Sequence, residues 1–162
     1  MANWCIGVLK VRGKIKDVES FLKNEIKETW WEGVRCFKGT PIIEEGDGEI
    51  CISPSEKLKG TLYLNDSRRC HFTSTIEIYH DEVDKETVKS FSLGDLECAW
   101  CVDTRCLIRH SKKYNLDFKI YGYERGMEYN FDFEVHSGKV IKSEEIEFED
   151  YIWECTNPNI GG

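Results

Sequence analysis

Residues 116–148 read LDFKIYGYERGMEYNFDFEVHSGKVIKSEEIEF, and their hydrophobic pattern decides the fold class. Leu116 to Tyr123 is a strand. Tyr129, Phe131, Phe133 and Val135 then alternate with Asn130, Asp132 and Glu134, the period of two expected of a half-buried strand. Ser137-Gly138 turns the chain into a further strand over Val140 to Phe148. The result is an antiparallel meander with one buried face. On this pattern Phe131 and Phe133 face the core, and Asn130 faces away, so that Asn130→Ala matters much less than truncation of either phenylalanine.

Upstream of the meander, Asp103 to Tyr114 has helical spacing, with Cys106, Leu107 and Ile108 inward, Arg105, Arg109, Lys112 and Lys113 outward, and basic residues at the end that suits the helix dipole. At the other end of the chain, Trp4 to Val11 reads as a strand closed by Gly13. Ile15, Val18, Phe21, Leu22 and Ile26 follow at helical spacing. Between these parts the pattern is weaker. Gly33, Gly39, Pro41, Gly46 and Gly48 interrupt residues 29–48, which read as a loop with one short strand. Glu49 to Ile52 and Gly60 to Leu64 are strands, Asn65-Asp66-Ser67 is a turn, Arg69 to Tyr79 is a longer strand, and Asp84 to Phe91 is a short helix.

The order strand, helix, strand, strand, helix, strand predicts an α+β ferredoxin-like sandwich, with a mostly antiparallel sheet, two main helices on one face and the C-terminal β-meander. The length of 162 residues suits one domain, with an irregular insertion at about 29–60. The opening Ala2-Asn3-Trp4-Cys5 with Val8-Leu9-Lys10-Val11-Arg12-Gly13, and the block from Lys113-Tyr114 to Gly126-Met127-Glu128, resemble the YubB-type ferredoxin-like domain of phage and plasmid proteins. That resemblance implies the same fold, an origin in mobile elements, and no transferable catalytic motif. The segment from Thr29 to Gly60 matches nothing in it.

Composition bounds the function. Apolar residues make up 40% of the chain and charged residues 32%, which is the balance of a folded globular protein. The N-terminus lacks a basic region followed by an apolar run, and no stretch approaches the roughly 20 apolar residues of a membrane span. A cytoplasmic protein without membrane contact is therefore expected, with its eight cysteines reduced. A net charge of −8 opposes direct binding of nucleic acid and favours a partner with a basic surface.

Several groups of residues carry candidate chemistry. Cys98, Cys101, Cys106 and His110 offer four soft ligands within thirteen residues, but their spacing departs from common zinc modules and a chain of this size folds without a metal. No stoichiometric zinc and no other cofactor is expected. His71, His80, His110 and His136 lie in no nucleophile motif, and no phosphate loop is present, so no enzymatic activity is expected. Arg68 and Arg69, with Lys57, Lys59 and His71 nearby, resemble an anion site on which Trp100, Tyr121 or Tyr123 would stack a base; a solvated turn beside a strand is the simpler alternative. In Glu145-Ile146-Glu147-Phe148-Glu149 the period of two places three carboxylates on one strand face, continued by Asp150. Charge there protects an edge strand from aggregation or docks into a cationic groove.

From the resemblance and the acidic ridge, the expected function is a non-enzymatic phage or prophage accessory protein that binds and inhibits a host defence component such as a CRISPR effector, in the manner of an anti-CRISPR. The expected partner-binding residues are Glu145, Glu147, Glu149, Asp150, Trp30 and Trp31. The alternative is a sponge that sequesters a nucleotide immune signal through Arg68, Arg69, His71, Trp100 and Tyr123.

Overall fold

The computed structural model describes residues 3–32, 35–55 and 60–162. In chain order the elements are β1 (Trp4–Lys14), α1 (Ile15–Glu25), β2 (Ile26–Glu32), β3 (Arg35–Gly39), β4 (Ile42–Gly46), β5 (Glu49–Ser53), β6 (Thr61–Leu64), β7 (Cys70–Phe72), β8 (Ile76–Tyr79), β9 (Val88–Ala99), α2 (Thr104–Tyr114), β10 (Asp117–Glu124), β11 (Tyr129–His136), β12 (Lys139–Glu147) and α3 (Tyr151–Glu154). Nine strands form one antiparallel sheet in the order β12-β11-β10-β1-β9-β7-β6-β2-β3, and β4-β5-β8 form a second, smaller sheet.

This architecture overturns the ferredoxin-like expectation. Strand accounts for 52% of the described residues and helix for 17%, in three short helices, so the described fold is mostly β. A strand-helix-strand-strand-helix-strand sandwich has four strands, whereas here β6 and β7 separate β9 from β2, and β3, β11 and β12 extend the sheet at both ends. Residues 29–48, expected as a loop with one short strand, instead hold the end of β2 together with β3 and β4, and the strand expected at Glu49 to Ile52 is β5. Their glycines are hairpin punctuation. Asp47-Gly48 is the two-residue turn between β4 and β5, where Gly46 pairs with Glu49 and Gly48 takes φ +76°. A side chain at Gly48 would also strike the His80 carbonyl.

Two further expectations fail locally. The run from Arg69 to Tyr79 is broken at Thr73–Thr75, so that β7 belongs to the large sheet and β8 to the small one. The helix expected over Asp84 to Phe91 is absent: a loop leads directly into β9, and Phe91 is a buried strand residue. That loop instead completes α1. Lys14 caps it with no side-chain bond, and the first helical amides, Ile15 N and Lys16 N, donate to the carbonyls of Thr87 (3.0 Å) and Lys85 (3.1 Å).

The α1, α2 and meander assignments hold. Asp103 caps α2 by accepting from Cys106 N at 3.1 Å, and Asn115 ends it in the left-handed conformation at φ 54°. The core lies where the two longer helices cover the large sheet. Phe21 of α1 meets Phe118 of β10 edge-on with centroids 5.1 Å apart, among the buried side chains of Leu9, Leu22, Leu96 and Phe133. Ile50, Ile52, Ile76 and Ile78 of the small sheet join the same cluster.

Candidate functional site

The meander places β12 at one edge of the large sheet. Its pairing with β11 sets Glu145 opposite Phe131, Glu147 opposite Tyr129 and Glu144 opposite Asp132, so carboxylates project from both faces of the outermost strand. Glu144, Glu145 and Glu147 are exposed; only Glu144 has an ion-pair partner, Lys142 at 3.3 Å, among the described residues. The acidic row is shorter than the sequence pattern suggests. β12 ends at Glu147, and Glu149 and Asp150 lie in the bend that enters α3. There Glu154 accepts from the amides of Glu149 (3.0 Å) and Asp150 (3.4 Å), while Asp150 caps α3 by accepting from Trp153 N (3.2 Å).

The sequence pattern gave no sign of α3. This four-residue helix is held on the sheet by buried Tyr151 and Cys155, and it presents Trp153 with 86% of its surface exposed. Its anchor is Asn130, which is 1% exposed rather than solvent-facing. The Asn130 amide donates to the Tyr121 hydroxyl (3.2 Å) and accepts from the Tyr151 hydroxyl (3.0 Å). The polar residue of the alternating strand is therefore a buried clamp for α3. Phe133 is fully buried as expected, and Phe131 only partly.

Trp30 and Trp31 occupy consecutive positions of β2. The Trp30 ring stacks on Phe37 across the β2–β3 hairpin, 5.6 Å between centroids at 15°, and lies over Gly39, whose missing side chain makes room for it. The ring is already engaged in that cross-strand pair. Trp31 pairs in register with Cys36.

The residues of the expected anion site diverge. Arg68 directs its guanidinium toward the Ala99 carbonyl (3.5 Å) and the Cys101 sulfur (3.8 Å). Arg69, with φ +61°, lies over the Trp4 ring at 5.3 Å. His71 is packed between Trp4 (6.2 Å) and Tyr63 (6.1 Å), and burial together with Arg69 holds its pKa down, so it is neutral at physiological pH. Tyr123 packs on Tyr121 and accepts from Asn157, and Trp100 is half-exposed with its carbonyl taken by the Tyr129 hydroxyl. Lys57 and Lys59 lie outside the described residues. What does join Arg68 is a pair the sequence pattern treated as an outward helix face: Arg105 and Arg109, one turn apart on α2, line with it a cleft of about 490 Å³. Their i, i+4 spacing is a signal that they share a face.

The cysteine cluster is a piece of core. Cys98 of β9 stands in register with Cys5 of β1 on one side and Cys70 of β7 on the other, and all three are buried. Burial pushes the Cys5 thiol up to about 12, and contact with Cys70 together with burial raises Cys98. Burial likewise raises Cys106, whose thiol donates to the Asn65 carbonyl at 3.4 Å. The Nε2 of His110 meets the same carbonyl at 2.9 Å. Cys101 stands apart, half-exposed beside Arg68. Among the described residues, no group of three or more His, Cys, Asp or Glu side chains is placed to hold a metal ion. All eight cysteines are free.

Beneath the helices, Glu25 accepts from Lys113 (2.6 Å), Tyr114 (2.6 Å) and Asn65 (3.0 Å). Burial raises its pKa, but these hydrogen bonds outweigh burial and bring it down to about 2, so at neutral pH it is a structural anion and a poor base. Among the described residues, no helix is long and apolar enough to cross a membrane. No family model matches the chain, and neither a curated protein nor a solved structure matches it.

Proposed function

We propose that this is a non-enzymatic phage or prophage accessory protein that inhibits a host defence component, such as a CRISPR effector, by laying the β12–α3 edge into a groove that normally holds nucleic acid. The observation that carries the reading is the pairing of unneutralised carboxylates, Glu145 and Glu147, with a Trp153 side chain that is 86% exposed at the same end of the outermost strand. Carboxylates along an edge meet the Lys and Arg of such a groove and speed encounter. An exposed tryptophan supplies the large apolar anchor that tightly bound interfaces rely on. The net charge of −8 opposes binding of the ridge to nucleic acid itself and suits mimicry of it.

The test is competition on purified RNA-guided nucleases. With the wild-type protein, guide-directed target binding falls and the effect weakens as salt is raised. Glu145→Lys/Glu147→Lys/Glu149→Lys abolishes it, and Trp153→Ala weakens it. Both variants keep the wild-type melting temperature, because exposed charges and an exposed ring add little to stability. Failure to displace nucleic acid from any basic effector, or inhibition that survives the triple reversal, overturns the proposal.

A further inference from the structure

We propose that the cleft between the Asp66–Arg68 turn and the first turns of α2 is a separate binding site for a small ligand bearing a diphosphate group, held by Arg68, Arg105 and Arg109. The cleft is about 490 Å³, within the range of roughly 300–1,000 Å³ common for small-ligand sites. Three guanidiniums line it in a chain that carries eight more acids than bases by formal charge. Several bases elsewhere are paired with acids: Arg12 with Asp117, Lys14 with Glu86, Lys23 with Glu45, Lys119 with Glu134 and Lys142 with Asp132. Among the described residues, none of these three arginines makes an ion pair within 4.0 Å.

Two of the three are positioned without being neutralised. Arg109 donates to the Asp66 carbonyl at 2.6 Å and Arg68 to the Ala99 carbonyl at 3.5 Å, so both forks are steered by uncharged acceptors and keep further N–H groups for a ligand. Of the two carboxylates in the wall, Asp103 is occupied by backbone amides, accepting from Arg68 N at 2.7 Å and Cys106 N at 3.1 Å. Asp103 also occupies the end of α2, so the guanidiniums and not the helix terminus are the anchors. Asp66 remains, and the site carries an excess of positive charge. No lining residue is aromatic, so recognition falls on the phosphoryl oxygens and not on a stacked base. Three forks provide more donors than one phosphate takes up, which favours a diphosphate over a monophosphate. This inference is independent of the acidic edge, whose residues do not line the cleft.

The experiment is calorimetric titration of the purified full chain with inorganic pyrophosphate, inorganic phosphate, ADP and adenosine. Pyrophosphate is expected to bind with a dissociation constant below about 1 mM, phosphate more weakly, ADP at least as well as pyrophosphate, and adenosine not at all. Arg105 is exposed and its side chain makes no hydrogen bond among the described residues, so Arg105→Ala keeps the fold and is expected to weaken pyrophosphate at least tenfold. Arg105→Glu abolishes binding, and Arg35→Ala on β3 leaves it unchanged. Absence of pyrophosphate binding at 10 mM (about ten times the weakest expected constant), adenosine binding as well as ADP, or wild-type affinity in both Arg105 variants would each overturn the site. Tight pyrophosphate with weak ADP supports it and identifies a free diphosphate as the ligand; the reverse order supports it and identifies a nucleotide.

Discussion

Replacing Asn130 with alanine tests whether α3 is clamped from beneath. Four residues are too few to hold a helix in water, so α3 exists because Tyr151 and Cys155 are docked on the sheet. Asn130→Ala deletes the donor to Tyr121 and the acceptor for Tyr151. Each such bond contributes about 1 kcal/mol net, and a hydroxyl stranded in a buried position costs a further 1–3 kcal/mol or so. Detachment of α3 would relieve that last cost, so the expected loss is about 2–3 kcal/mol, below the roughly 3–5 kcal/mol expected for Phe133→Ala in the fully packed core. Urea denaturation gives the magnitude, and hydrogen exchange locates it, with protection falling first over Tyr151–Cys155. Tyr151→Phe removes the stranded hydroxyl, so in the double variant Asn130→Ala should cost at least about 1 kcal/mol less. A loss under about 0.5 kcal/mol, or full additivity of the two changes, would refute the clamp and restore Asn130 to the solvent side.

Glu25 and the cysteines give two further tests. A carboxyl held at about 2 in the fold against an ordinary 4.5 stabilises fully above about pH 4.5, and that contribution disappears as pH falls toward 2. Melting temperature should therefore drop less steeply between pH 4.5 and 2 in Glu25→Gln than in wild type; parallel curves would show that Glu25 is not the responsible anion. Native alkylation should label exposed Cys36 first and half-exposed Cys51 and Cys101 later, leaving Cys5, Cys70, Cys98, Cys106 and Cys155 untouched until the protein unfolds. Early labelling of Cys98 or Cys106 would contradict the buried cluster.

The parts of the fold legible in the sequence are those whose periodicity is long and uninterrupted: α1, α2 with its Asp103 cap, and the β10–β12 meander. Residues 29–48 were illegible because β3 and β4 are five residues each and their half-buried or exposed patterns lack a clean apolar stripe, whereas the next strand, β5, was read at Glu49 to Ile52. The Asp47-Gly48 dipeptide was the available clue to the β4–β5 hairpin. Alternation along β11 correctly placed Phe133 but misplaced Asn130, because a period of two separates faces without saying what covers the second one. The acidic edge was visible as a pattern. The arginine cleft was not, since Arg68 and Arg105 come from segments that only the folded chain brings together.

Edge protection and docking make different demands on the β12–α3 end. A sheet edge is kept from pairing with other chains by charge on the strand itself, and Glu144, Glu145 and Glu147 supply that without further help. Trp153 works against that purpose, because a large apolar ring beside an open edge invites association. Its exposure is also not incidental to the helix: the Asp150 cap, the Glu154 bonds to the bend and the Asn130 clamp all hold a four-residue segment that buries only Tyr151 and the adjoining Cys155. Edge protection predicts that Trp153→Ala improves solubility and changes nothing else, whereas docking predicts that it weakens inhibition while Glu144→Gln, already paired with Lys142, does not. Those two substitutions, compared in one competition assay, separate a charged edge that only repels from one that also binds.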